Sequence, residues 1–122
     1  MSADNRQVFR HQLDIPIEGK MRLSSNKAQD EYPYTIMIND VGGEGLGFTE
    51  KTDLALNTEL DFEFKLNEEN LYASGKVVWK KGTNDSFFYG VKFIFQEQKE
   101  ASLIFQEVNR LVIRLHKRKM EA

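Results

Sequence analysis

Between Leu60 and Leu66 the chain alternates without interruption: Leu60, Phe62, Phe64 and Leu66 are apolar, while Asp61, Glu63 and Lys65 are charged. Successive side chains on a strand point to opposite faces, so this run buries one clean face only when extended. Asn67-Glu68-Glu69-Asn70 reads as a turn, and Leu71, Ala73, Gly75, Val77 and Trp79 then share one face of a second strand. The two strands therefore form a hairpin. After a second turn over residues 80–86, Phe87, Tyr89, Val91, Phe93 and Phe95 repeat the pattern. Upstream, Leu13, Ile15 and Ile17 alternate with Asp14 and Glu18, and Met21 and Leu23 take up the alternation after Gly19. Pro16, which lacks a backbone N–H, places that strand at an edge or at a bend. Tyr34, Ile36 and Ile38 make a further strand, and residues 24–31 and 49–57 are loop-like.

Six or seven short antiparallel strands separated by turns predict a mostly-β chain closed into a small barrel. The nine phenylalanines fall mostly on the inward face at period two, so they need no ligand to explain them. From Gln98 the period changes. Ala101, Ile104, Phe105, Val108, Leu111, Val112 and Leu115 fit one helical stripe, which predicts a C-terminal α-helix packed on the barrel. Leu103 and Ile113 fall off that stripe. Cations gather at the helix end: Arg110, Arg114, Lys117, Arg118 and Lys119. The helix dipole, which favours positive charge there, accounts for most of them. The organisation expected is an arm over residues 1–12, a barrel over 13–96 and a helix over 97–122.

The stretch from Ile38 to Phe48, Ile-Asn-Asp-Val-Gly-Gly-Glu-Gly-Leu-Gly-Phe, is the unusual one. Glycine permits positive φ and close approach of another group to the backbone. Successive free N–H groups in such a turn can form a concave seat for an anion. The plain alternative is a glycine-rich turn between two strands.

Composition narrows the chemistry. A net charge of −2 over 122 residues gives no global electrostatic case for binding DNA or RNA. The absence of cysteine removes disulfides, thiolate metal sites and cysteine nucleophiles together. His11 and His116 are far apart in sequence, so neither a zinc site nor a catalytic triad is predicted. A dinucleotide fingerprint fails because Gly43-Glu44-Gly45 lacks the third glycine and a following long helix. The expectations are a cytoplasmic protein with no secretory signal, no membrane insertion, no metal, no cofactor and no enzymatic activity.

In order and spacing, four features resemble the PilZ domain, a bacterial β-barrel family that includes many receptors for cyclic di-GMP. Arg6 and Arg10 are similar to the family's RxxxR arm, and the segment from Asp40 to Gly45 is similar to its [D/N]xSxxG loop. Gly75-Lys76-Val77-Val78-Trp79 and Tyr89-Gly90-Val91-Lys92-Phe93 resemble its G-x-V-x-W and Y-G-V-x-F strands. The resemblance implies a PilZ-type barrel, cyclic di-GMP as ligand, and Arg6, Arg10, Asp40, Gly42, Gly43 and Gly45 as the ligand-binding residues. It also implies an arm that orders on binding and signals to a downstream protein partner. One position departs from the pattern: Gly42 stands where the family has serine, which removes a hydroxyl donor and implies weaker binding. Two alternatives are a PilZ-fold adaptor that acts through protein contacts alone and an OB-like barrel for single-stranded nucleic acid. The acidic balance counts against the second.

Overall fold

The computed structural model describes residues 11–26 and 32–121. Six antiparallel strands close into a barrel in the order β1-β2-β3-β6-β5-β4. They are β1 (His11–Leu23), β2 (Tyr34–Val41), β3 (Gly45–Glu50), β4 (Glu59–Leu66), β5 (Glu69–Gly82) and β6 (Phe87–Ile94), followed by the helix α1 (Gln98–Glu121). The alternating run of residues 60–66 is β4, paired with β1 on one side and β5 on the other. Its odd-numbered charges face outward and its even-numbered apolar residues fill the barrel.

Inside, Phe48 stacks on Tyr89 with centroids 5.0 Å apart and meets Phe62 edge-on at 5.7 Å. These rings join Met21, Ile36, Ile38, Leu60, Val77 and Val91 in one core. Two ends of the barrel are closed differently. At one, the Tyr89 hydroxyl donates to the Thr52 carbonyl at 2.6 Å and accepts from the Leu54 N–H at 2.8 Å, drawing the segment after β3 inward. At the other, α1 inserts Ile104, Val108 and Leu111. That end also holds the β4–β5 turn, where Asn67 and Glu68 adopt left-handed backbone, with φ of 52° and 73°. Asn67 donates through its amide to the Glu107 carbonyl (2.8 Å) and carboxylate (3.0 Å), which pins the helix.

The strands and the helix each depart from the simple periodic reading. β1 is one continuous strand, with an irregular register between Gln12 and Ile17 where Pro16 lies. The register slips again between Val77 and Trp79, so Val78 is an extra residue and Trp79 turns out of the barrel. Its expected place on the inward face with Val77 is thus corrected: a β-bulge reverses the facing of everything after it. In α1 the stripe is narrower than expected, because Phe105 is 60% exposed while Glu107 is buried.

A buried acid stands on the outer wall of the barrel. Asp61 accepts from Arg22 Nε at 2.9 Å and from the Ser24 and Ser74 hydroxyls at 2.8 Å each. Tyr32 lies over the Arg22 guanidinium, 4.5 Å from ring centroid to carbon. Burial alone would raise the Asp61 pKa, but the hydrogen bonds from Ser24, Ser74 and Arg22, with the guanidinium charge, hold it below its ordinary value of 3.8. Since the folded carboxyl is the more acidic, its contribution to stability is complete above the ordinary value. It fades as pH falls through the folded value. Asp61→Asn is therefore expected to cost about 1–3 kcal/mol near neutrality, as for a buried charged hydrogen-bond partner. In urea denaturation from pH 7 to pH 2 the gap between variant and wild type should close at the acid end. A gap independent of pH would show that Asp61 acts only by packing.

Candidate functional site

The glycine stretch occupies the β2–β3 connection. β2 ends at Val41, Gly42-Gly43-Glu44 turns, and β3 starts at Gly45. The Gly42 N–H donates to the Gly45 carbonyl at 2.9 Å, closing the turn, and the Phe93 N–H donates to the Glu44 carbonyl at 2.8 Å. No described glycine has positive φ. Gly43, and Gly45 and Gly47 in β3, therefore serve close approach rather than unusual backbone angles.

Each approach is different. A Cβ on Gly45 would lie 2.1 Å from the Val91 carbonyl oxygen, so β3 crosses β6 with no room for a side chain. On Gly43 it would touch the Phe105 ring at 3.0 Å, which brings α1 against the turn. On Gly47 it would meet the Asp40 carboxylate at 2.6 and 2.9 Å. Asp40 thus lies flat over a glycine of the neighbouring strand, and a larger residue at 47 would push it away.

Asp40 reaches that position through a second bulge. Ile38 pairs with Phe48, yet Asp40 pairs with Gly47, so Asn39 is the extra residue. The Asn39 amide donates to the Thr49 hydroxyl at 2.6 Å and fixes the irregular segment. Following the ladders outward from Asp40 gives one row across the wall: Gln12, Asp40, Gly47, Gly90 and Trp79. Trp79 covers Gly90 as Asp40 covers Gly47, since a Cβ on Gly90 would fall 2.0 Å from the indole nitrogen. The row sets a carboxylate and an indole over two adjacent glycines, which are buried beneath them. Chemically it sets a carboxylate, one oxygen of which is buried, in the same row as an indole.

Of the residues singled out in the sequence, Asp40, Gly42, Gly43 and Gly45 come together at this end of the barrel, while Arg6 and Arg10 lie outside the described residues. The arm leads into the same place, because His11 pairs with Val41 and Gln12 with Asp40. Sequence reasoning missed Gly47, Gly90 and Trp79. The signal was present in the G-x-V-x-W and Y-G-V-x-F segments, but an uncounted bulge assigned the tryptophan to the core.

The PilZ domain family model matches residues 4–112. No curated protein sequence matches the chain. Among solved structures, the fold is similar to K. pneumonia MrkH in its complex with c-di-GMP, with a TM-score of 0.76, 12% identity and 95% of this chain covered. This chain spans 56% of that protein's length. It is also similar to the PilZ domain of E. coli YcgR with c-di-GMP, with a TM-score of 0.69 and 14% identity over 97% of this chain and 98% of that one. Bacillus subtilis MotI/DgrA, an inhibitor of motility, gives a TM-score of 0.66 at 11% identity, covering 92% of this chain and 53% of that protein.

The two tight glycines separate fold from site. Gly45→Ala meets a backbone carbonyl that cannot move without opening the β3–β6 ladder, so a loss of about 3 kcal/mol is expected, the upper end of overpacking costs. That corresponds to a fall in Tm of roughly 10 °C or more. Gly47→Ala meets the far end of the Asp40 side chain rather than backbone, and should cost less than about 1 kcal/mol. Thermal unfolding of both variants checks this, and equal losses would mean that Asp40 is as immovable as the ladder.

Proposed function

This chain belongs to the PilZ domain family, and on that premise we propose that it is a receptor for cyclic di-GMP that works by binding, not catalysis. In this reading it acts in the bacterial cytoplasm, orders its N-terminal arm over the ligand and passes the signal to a protein partner. The observation that carries the reading is the outer row itself. Asp40 is positioned by a bulge over Gly47, beside Trp79 and the glycine turn, at the point where the strand leading from the Arg6–Arg10 arm enters the barrel.

The ligand has two guanines and two phosphates. The Asp40 carboxylate can accept from the N1–H and N2–H₂ edge of guanine. Arg6 and Arg10 supply planar forks that match guanine O6 and N7 and can also stack on a base. Gly42, Gly43 and Gly45 remain the proposed ligand-binding residues of the turn, although Phe105 fills the space beside Gly43 and the Val91 carbonyl the space beside Gly45. Displacing Asp40 by Gly47→Ala therefore weakens binding without unfolding the barrel. An adaptor that binds no nucleotide is the second reading, favoured by the glycine at position 42.

Calorimetric titration with cyclic di-GMP decides between them, and Arg10→Lys sharpens the result. If Arg10 reads guanine as a fork, lysine keeps the charge but loses the geometry. Its affinity should then fall roughly five- to 150-fold, the equivalent of about 1–3 kcal/mol for a bidentate contact. Arg10→Ala should behave like Arg10→Lys. Cyclic di-AMP should bind poorly, because adenine offers a donor where guanine offers O6. Near wild-type affinity in Arg10→Lys, or equal binding of the two nucleotides, would remove Arg10 from the base-reading role.

The switch has its own test. Hydrogen exchange over residues 5–12 is expected to slow when cyclic di-GMP is added, as for a segment that orders on binding. Equal exchange in the two states, at a ligand concentration shown by titration to saturate, would leave a receptor without the arm switch.

A further inference from the structure

The basic end of α1 remains unexplained by the ligand site. Arg110, Arg114 and Lys117 are all exposed, and spaced four and three residues apart they share one stripe. That stripe faces away from Ile104, Val108 and Leu111, which are buried against the barrel. Arg110 reaches the buried Glu107 at 3.5 Å. Arg114 and Lys117 make no ion pair among the described residues. The sequence continues with Arg118 and Lys119, and residues 109–120 contain no Asp or Glu. The remaining residues then hold 12 of the 17 Lys and Arg against all 19 Asp and Glu, a net charge of −7. The helix dipole does not account for the stripe, because its effect is confined to the last turn. Arg110 and Arg114 lie more than one turn before the helix end at Glu121.

We propose that this stripe docks the domain on an anionic lipid surface. The charge distribution favours a flat polyanion: only the helix end need touch it, and the net-acidic remainder of the chain need not. A nucleic-acid strand following a groove would instead have to run along that acidic body. The exposed apolar residues on this side, Leu103 at 43% and Ile113 at 62% exposure, are ten residues apart in the sequence, about 15 Å along the helix. They do not form the central apolar cluster of a protein interface. Separate apolar side chains among flexible cations suit partial burial among headgroups. No helix among the described residues is long and apolar enough to span a membrane, so the association is superficial. Each Lys or Arg near such a surface is worth about fivefold in partitioning. Arg110, Arg114 and Lys117 together give binding that is reversible and sensitive to salt. This inference is independent of nucleotide recognition.

The test is co-sedimentation of the full chain with vesicles of phosphatidylcholine alone or with about a third phosphatidylglycerol. Partitioning is expected only onto the phosphatidylglycerol vesicles, and should drop at least about tenfold between 50 and 300 mM salt. Arg114→Gln with Lys117→Gln should lower it about 25-fold while leaving the circular dichroism spectrum and cyclic di-GMP titration unchanged. Leu103→Ser with Ile113→Ser should lower it further. Absence of partitioning, equal partitioning onto neutral vesicles, or a double glutamine variant that partitions like wild type would each overturn the proposal. So would tighter binding to a duplex DNA fragment than to the vesicles under the same conditions.

Discussion

The barrel depends on how closely β3 can lie against its neighbours. It is six residues long and pairs with β2 on one side and β6 on the other. At Gly45 the Val91 carbonyl oxygen stands 2.1 Å from where a Cβ would be, so any side chain would force the two strands apart. Without that contact the ladder joining β2–β3 to β6–β5 would open and the barrel would have two edges. Unpaired edges expose rows of backbone donors and acceptors, and closure removes them. The inward residues of β3, Leu46 and Phe48, are fully buried as a consequence, and Phe48 becomes the ring on which Tyr89 and Phe62 pack.

Two bulges convert this closed wall into a candidate site. A bulge inserts one residue, reverses the facing of those that follow, and strengthens the local twist. At Asn39 it delivers Asp40 to the outside while keeping Val41 buried inside. At Val78 it delivers Trp79 to the outside while Val77 remains in the core. The two displaced residues meet the wall where Gly47 and Gly90 pair, the one place in that row without side chains. Bulges and glycines are therefore one device: the first aim the side chains, and the second give them a floor to lie on.

Most of the fold was legible because the period-two signal in residues 60–66 and 87–95 is unbroken, and the change to helical period at Gln98 is abrupt. The closure order was not legible, since alternation says which face is buried but not which strands pair. Trp79 was not legible because a bulge leaves no mark in residue type. Parity counted from Leu71 holds as far as Val77 and is then off by one, and no residue type marks Val78 as the extra one. Phe105 failed for a related reason. It lies at the margin of the helical stripe, and its ring covers Gly43 instead of entering the core. Asp40 and the glycine turn stood out because an acid beside four glycines has no core-forming purpose. Gly47 belonged to the same stretch, but its role depends on the neighbouring strand.

The turn also bears on how a cyclic dinucleotide would be recognised. Its Gly42 N–H is already committed to the Gly45 carbonyl, and glycine at that position supplies no hydroxyl. Gly42 therefore contributes no free N–H to an anion seat in this turn. A neutral hydrogen bond contributes on the order of 0.5–1.5 kcal/mol net, whereas each bidentate base contact is worth about 1–3 kcal/mol. Under the proposed function the balance then falls on the guanine edges, through Asp40 and the two arginines, more than on the phosphates. Affinity in such a site should depend weakly on salt, because the contacts that carry it are directional hydrogen bonds to uncharged base edges. A receptor that relied on its phosphate seat would weaken steeply with salt.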